Sequence, residues 1–233
     1  MKKRSIILFI MFVVMFFLSG CAATRISLKP SFWQEKELKI GVAVVSYPKV
    51  AAHKVGAQGL LDQAINEVLA AELKAYLRQV DITAFSSIAD QFVQRLREEG
   101  KTVKKIDGLL DLEEFQSFKP TTSGNYTKVD FRSLSQKEDI DTLLLLSIER
   151  VGTIRSYYGF IPLGAPKALC QAKGQLVDLN NNEILWLYTM EEKEASVPIE
   201  DKWSQPPDYP NLNNALKKAV ENAMTILEVK FSQ

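Results

Sequence analysis

Two cysteines and one histidine are the residues of this chain best suited to nucleophilic, redox or metal chemistry. His53 stands alone, whereas a zinc site draws on several His or Cys ligands. No Gly-x-Ser-x-Gly segment accompanies it, so an elbow-type serine nucleophile is not indicated. It follows the first predicted strand and reads as a solvated loop histidine. Gly56-Ala57-Gln58-Gly59 falls between a strand and a helix, where backbone N–H groups can cradle phosphate. No Gly-Lys-Ser/Thr follows and the spacing is not Gly-x-Gly-x-x-Gly, so the segment predicts a flexible helix start. Glu98-Glu99 and Glu191-Glu192 read as solvated acidic pairs. No catalytic or metal-binding constellation emerges. Cys170 lies in a run where Ala168, Cys170, Ala172, Gly174 and Leu176 share one face of a period-2 strand. A free thiol there behaves as a small core hydrophobe.

Cys21 sits in a different setting. Lys2, Lys3 and Arg4 precede an apolar run from Ile6 to Phe17, followed by Leu18-Ser19-Gly20-Cys21. The run is shorter than the roughly 20 residues of a membrane-spanning helix. A basic start, an apolar segment and small residues before a cleavage point make an export signal, 1–20. Leu18-Ser19-Gly20-Cys21 resembles the lipobox of bacterial lipoproteins. That resemblance implies cleavage between Gly20 and Cys21, a diacylglyceryl thioether on Cys21, and an acyl chain such as palmitate on the new amine. Two or more chains anchor a protein stably, at about 0.8 kcal/mol per buried CH₂. Ala22 stands where lipoproteins kept in the inner membrane often carry Asp. The family pattern therefore implies the outer membrane, facing the periplasm, with the covalent lipid as the sole cofactor-like group.

The full chain has 29 basic and 28 acidic residues. Loss of Lys2, Lys3 and Arg4 leaves 26 and 28, a formal net of −2. That balance offers no basic excess for a nucleic-acid backbone. About 213 residues remain after residue 20, enough for one substantial core.

Residues 21–38 read as the lipidated N-terminus and a short tether, and 39–233 as one periplasmic domain. Ile40 to Val45 predicts a buried strand ended by Pro48. A helix follows from about Gly59 to Leu77, with Leu61, Ala64, Ile65, Val68, Leu69, Leu73 and Tyr76 along one stripe. Ile82 to Phe85 predicts a second strand. Ser87-Ile88-Ala89-Asp90 predicts a capping box, opening a helix that buries Ile88, Phe92, Val93 and Leu96 and stops at Gly100. Residues 101–128 show no clean period. Asp130 caps a short helix through Leu134. Leu143 to Ile148 is apolar on both strand faces, which predicts a central strand covered on both sides and running on toward Ile154. Strands near 167–178 and 183–191 flank Asn180-Asn181-Asn182, a hairpin turn. The last helix starts near Asn211 and buries Leu212, Ala215, Leu216, Ala219, Val220, Ala223, Met224 and Leu227. The order β-α-β-α-(β)-α-β-β-β-α predicts an α/β fold of α+β mixed type: one mixed sheet packed by helices.

Two strings in this order resemble the periplasmic α/β domain of several lipoprotein families. Those families are the curli-secretion channel lipoprotein, the lipoprotein activator of penicillin-binding proteins and the N-terminal domain of TolB. One string is Glu138-Asp139-Ile140-Asp141 before the leucine strand. The other is Gln175 to Trp186, where asparagine replaces the turn glycine usual in those families. The resemblance implies a binding or assembly component rather than an enzyme. The surface expected to carry contact is Tyr157-Tyr158-Gly159-Phe160-Ile161-Pro162-Leu163, above all Tyr157, Tyr158 and Phe160. Clustered aromatics of this kind mark partner or membrane contact. The partner is the bilayer through the anchor, with an envelope protein or a second copy at the sheet edge and this loop. An envelope enzyme or small-ligand binder using Gly56–Gly59 is the alternative. A secretion-channel subunit comes third, because Gly159, Pro162, Gly164 and Pro166 interrupt any spanning strand.

Overall fold

The computed structural model describes residues 25–57, 59, 70–200 and 202–232. Its centre is β5, Thr142–Tyr158, seventeen residues long. On one side β5 pairs in parallel with two successive strands. β2 (Lys39–Val45) takes its first half, and β3 (Ala51–Ala57) its second. On the other side it pairs antiparallel with β7, Lys167–Asp178. β7 is flanked likewise by β8 (Ile184–Thr189) and β9 (Ser196–Pro198), with the short helix α5 (Glu192–Ala195) between them. β4 (Thr102–Leu110) adds in parallel to β2, and β1 (Arg25–Ile26) antiparallel to β8. β6, Ile161–Pro162, closes a hairpin with the end of β5. The result is one nine-stranded mixed sheet in the order β1-β8-β7-β5-β2-β4, an α/β fold of the predicted kind.

The leucine run explains the layering. Leu144 and Leu146 join Ile40, Val42 and Val44 beneath α3 (Ile88–Glu98) and α6 (Pro210–Phe231). Leu143 and Leu145 face the other way, against Phe131, Val177 and Leu134 of α4, Ser133–Glu138. Every residue of the predicted stripe on α6 is buried, and Phe231 extends it. Phe231 meets Phe32, Trp33, Phe92 and Trp186 edge-on at 4.9–6.0 Å between ring centres. Cys170 is fully buried on β7, as its period predicts.

The string Glu138 to Asp141 shows how sequence sets the crossing into β5. Asp139 takes φ +55°, a left-handed conformation that Asp tolerates better than most residues, and ends α4. Asp141 Oδ2 then accepts from the Lys39 N–H at 2.9 Å, while its own N–H donates to the Lys39 carbonyl at 2.8 Å. The starts of β2 and β5 are thus pinned together. At the β7–β8 turn Asn182 takes φ +61°. Gly100 ends α3 at φ +78°.

Four local expectations are corrected. Ile82 to Phe85 is not a strand: Thr83–Ser87 forms a 3₁₀ helix. Asp81 Oδ1 accepts from the Thr83 N–H at 2.8 Å, and the Ser86 hydroxyl donates to the Thr83 carbonyl at 2.7 Å. Such local bonds compete with a sheet ladder. Ser87 does not cap α3, because its backbone is already helical and its hydroxyl donates to the Ala84 carbonyl. The illegible segment contains β4, an edge strand whose side chains are mostly solvated and so carry no buried period. Residues 25–34, read as tether, are folded onto the sheet through β1 and α1 (Ser31–Gln34), which buries Phe32. Of the helix predicted from Gly59, Ala71–Leu77 is described as α2. Leu61, Ala64, Ile65, Val68 and Leu69 lie outside the described residues. Among the described residues no helix is long and apolar enough to cross a membrane.

Candidate binding surface

The far half of β5 leaves β2 behind and projects with β3 and the start of β7. A register shift between Ile148 and Arg150 marks the change. Its tip is a tight hairpin. Tyr157 pairs with Pro162 and Tyr158 with Ile161, while Gly159 turns the chain at φ +58°. The Gly159 N–H donates to the Ala57 carbonyl at 2.9 Å, which ties the tip to β3. The Leu163 N–H donates to the Ser156 carbonyl at 2.8 Å, and Arg155 Nε to the Gly164 carbonyl at 2.7 Å. The backbone of the tip is therefore well satisfied.

Its side chains are not. Tyr158 is 71% exposed, Leu163 60%, Phe160 53% and Ile161 52%. Isolated apolar residues on a surface are ordinary, but four gathered on one hairpin form a patch of the sort that covers a partner. Tyr157 alternates to the other side of the strand and is partly buried, with the Arg155 guanidinium 5.9 Å from its ring centre. The same guanidinium lies 5.4 Å from the Trp203 ring. Tyr157, Phe160, Trp203 and His53 line a cavity of about 110 Å³ at the root of the hairpin. Of the three expected contact residues, the fold exposes Tyr158 and Phe160 on the patch and turns Tyr157 to its base. Ile161 and Leu163 complete the patch. Their signal was the surrounding Gly and Pro, which deny apolar side chains the period that would bury them.

His53 is not in a loop. It lies in β3 opposite Ile154, half-buried, with Nε2 donating to the Val151 carbonyl at 3.1 Å. Burial lowers its pKa, so the imidazole is neutral at pH 7. The expectation failed because Ala51 to Ala57 is rich in alanine and glycine and reads as no strand. Gly56 is likewise a strand residue, at φ +110°, where an added Cβ would stand 2.1 Å from the Tyr157 carbonyl oxygen. Gly56 and Ala57 thus belong to the β3–β5 ladder rather than to a helix start. Gln58 lies outside the described residues, and Gly59 belongs to no helix or strand.

Burial pushes the Cys170 thiol up to about 12, which makes it inert as a nucleophile. Tyr188 is also pushed up to about 12, by burial and then by donating to Glu194 at 2.9 Å. Asp130 is held well below the usual carboxylate range, chiefly by its hydrogen bonds from Arg132. These are structural pairs: Asp130 takes the Arg132 fork at 2.9 and 2.7 Å and anchors Asn182. Among the described residues no cluster of His, Cys, Asp and Glu could hold a metal ion. A groove of about 820 Å³ runs between residues 79–87 and α6. Its Asp81 is committed to Thr83. Gly20 and Cys21 lie outside the described residues.

No known family's sequence pattern matches the chain, and no curated protein matches it in sequence. Among solved structures it is similar to protein XCC0632 from Xanthomonas campestris, described under family-model DUF330. Identity there is 12%, over 90% of this chain and 91% of that chain, with a TM-score of 0.39. It is similar to the PelC dodecamer from Paraburkholderia phytofirmans at 12% identity, over 86% and 94%, with a TM-score of 0.33. Lipoprotein GNA1162 from Neisseria meningitidis gives 16% identity, over 81% and 99%, and 0.33. Likeness at this level assigns neither a role nor an assembly to this chain. The particular grouping with the TolB, curli-secretion and penicillin-binding-protein activator domains remains a resemblance of two short strings.

Proposed function

We propose that this chain is a lipid-anchored, non-enzymatic binding or assembly component of the bacterial cell envelope. It is held at the outer membrane through Cys21 and faces the periplasm. The observation that carries this reading is the hairpin at residues 157–163. Its four exposed apolar side chains stand on a well-bonded backbone. Leu18-Ser19-Gly20-Cys21 supports the anchor. The second contact is the outer edge of β4, which has no neighbouring strand among the described residues and offers N–H and C=O groups to another chain. An envelope protein or a second copy would pair there.

Photo-crosslinkers at Thr102 and Lys104, both exposed on β4, test this in intact cells. The expected result is one recurrent protein neighbour, lost when Cys21→Ser releases the chain from its membrane. Recovery of no neighbour from either position would contradict the reading.

A further inference from the structure

We infer that the cleft between the folded N-terminal segment and the sheet, at the start of β5 and the end of β7, binds a small organic cation: a protonated primary amine on an apolar body. The inference is independent of the lipid anchor and of the 157–163 hairpin.

Thr142 carries it. The residue is only 2% exposed, yet its Oγ1 has no hydrogen-bond partner among the described residues. A buried hydroxyl left unpaired costs free energy, so such groups are rare and call for an explanation. Thr142 opens β5 and lines a cavity of about 370 Å³, within the ~300–1,000 Å³ of small-molecule sites. Successive strand side chains alternate in face. Thr142 thus shares the face of Leu144 and Leu146, which pack with Leu28 and Phe32, whereas Leu143 and Leu145 pack on the other side. Leu28 and Phe32 are also walls of the cavity, with Leu38 and Leu185. The hydroxyl therefore stands on the cavity's side of the sheet, among apolar walls.

Its neighbours set the charge of the ligand. Asp178 lies directly opposite Thr142 on β7 and so shares its face. Asp141 precedes Thr142, and both carboxylates line the cavity. Each has one oxygen engaged. Asp178 Oδ1 accepts from the Asn180 backbone N–H and Nδ2 at 2.8 and 3.0 Å, and Asp141 Oδ2 accepts from the Lys39 backbone N–H at 2.9 Å. Asp178 Oδ2 and Asp141 Oδ1 have no such partner among the described residues. Lys29 and Glu35, both exposed, offset each other at the rim. The ammonium of Lys39 is held by Asp139, and that of Lys101 by the carbonyls of Phe32 and Glu35. Two carboxylates are thus left uncompensated, and three acceptors have capacity to spare: Asp141 Oδ1, Thr142 Oγ1 and Asp178 Oδ2. A primary ammonium brings three N–H donors and one positive charge. The leucine and phenylalanine walls take its apolar body. A metal ion suits the cavity less, because among the described residues no cluster of His, Cys, Asp and Glu could hold one.

The test titrates phenethylamine into the full chain held in lipid nanodiscs, read by leucine-methyl NMR. Phenethyl alcohol and phenylacetate serve as its neutral and anionic counterparts. The expected result is a saturable shift of the Leu28, Leu38 and Leu185 methyls with the amine, and severalfold weaker binding of both counterparts. Thr142→Val should weaken the amine severalfold while leaving the urea midpoint unchanged or higher, since the hydroxyl has no bond to lose. Asp178→Asn, which keeps an acceptor for Asn180, should narrow the preference for the amine over the alcohol. No saturable shift of those methyls, or equal binding of either counterpart, would overturn the inference. A Thr142→Val chain that binds the amine as before but unfolds at lower urea would overturn it by giving the hydroxyl a structural partner. Calcium ion that shifts the same methyls at lower concentration than the amine would overturn it in favour of a metal site.

Discussion

Asn182 concentrates several demands in one side chain, and its replacement gives a worked test of the fold. It is fully buried at φ +61°. Its Oδ1 accepts from the Phe131 N–H at 3.1 Å, and its Nδ2 donates to Asp130 Oδ1 at 2.9 Å. Asn182→Ala strands the buried Phe131 amide, at about 1–3 kcal/mol, and forfeits a charge-assisted bond to Asp130 worth about 1.5 kcal/mol. It also places a Cβ-bearing residue of low tolerance in a left-handed conformation, at about 1 kcal/mol. The expected loss is about 3.5–5.5 kcal/mol, read as a fall in the urea midpoint of the folded domain. Asn182→Gly loses the same bonds without the backbone strain and is milder by about 1 kcal/mol. Asn182→Asp keeps the acceptor for Phe131 but sets a second carboxylate against Asp130. That raises the folded-state pKa of the pair above its unfolded value, so this variant recovers stability as pH falls through the carboxylate range. A loss below about 1 kcal/mol for Asn182→Ala, or a glycine variant worse than the alanine one, would refute the reasoning.

Four further outcomes follow from the same structure. Cys170, buried and with its thiol pushed up to about 12, should resist maleimide at pH 8 in the folded chain and react fully in denaturant. His53 titrates lower in the folded state than its usual 6.5, so the unfolded chain takes the proton first as pH falls. Its contribution is therefore complete above about 6.5 and lost below it; the Tm should fall between pH 7.5 and 5.5, and less so in His53→Gln, the chain having no other histidine. Gly152→Ala drives a Cβ to 2.0 Å from the Ala51 carbonyl oxygen at φ +127° and should cost at least about 2 kcal/mol. Gly108→Ala, at φ +76° with no atom within 4 Å, should cost about 1 kcal/mol in the same denaturation assay.

How far the sequence could be read depended on how much of each element is buried. The Leu143–Leu146 run was plain because burial on both faces leaves it continuously apolar, and the stripe on α6 because one-sided burial imposes a period on it. Asn182 was readable as a turn, but its bonds to Phe131 and Asp130 were not, since those partners lie over fifty residues upstream. β3 escaped notice because its role is backbone pairing beside Gly56 and Gly152, which calls for small residues rather than a hydrophobic alternation. β4 escaped because an edge strand keeps a solvated side. Residues 25–34 looked like tether because two strand residues and one helical turn leave too short a pattern. That last misreading matters most. It shortens the free tether from the residues before Lys39 to the four peptide steps between Cys21 and Arg25, at most about 14 Å. At the surface patch the aromatic cluster was visible as residue types, whereas the exposure of Ile161 and Leu163 required the hairpin.

The central claim is that Cys21 ties this domain to a membrane, and intact mass analysis of the chain recovered from bacterial envelopes tests it most directly. The account predicts a polypeptide beginning at Cys21, heavier than its sequence by a diacylglyceryl group and an acyl chain, with that added mass absent in Cys21→Ser. A chain that keeps residues 1–20, or one cut elsewhere with an unmodified Cys21, would contradict it.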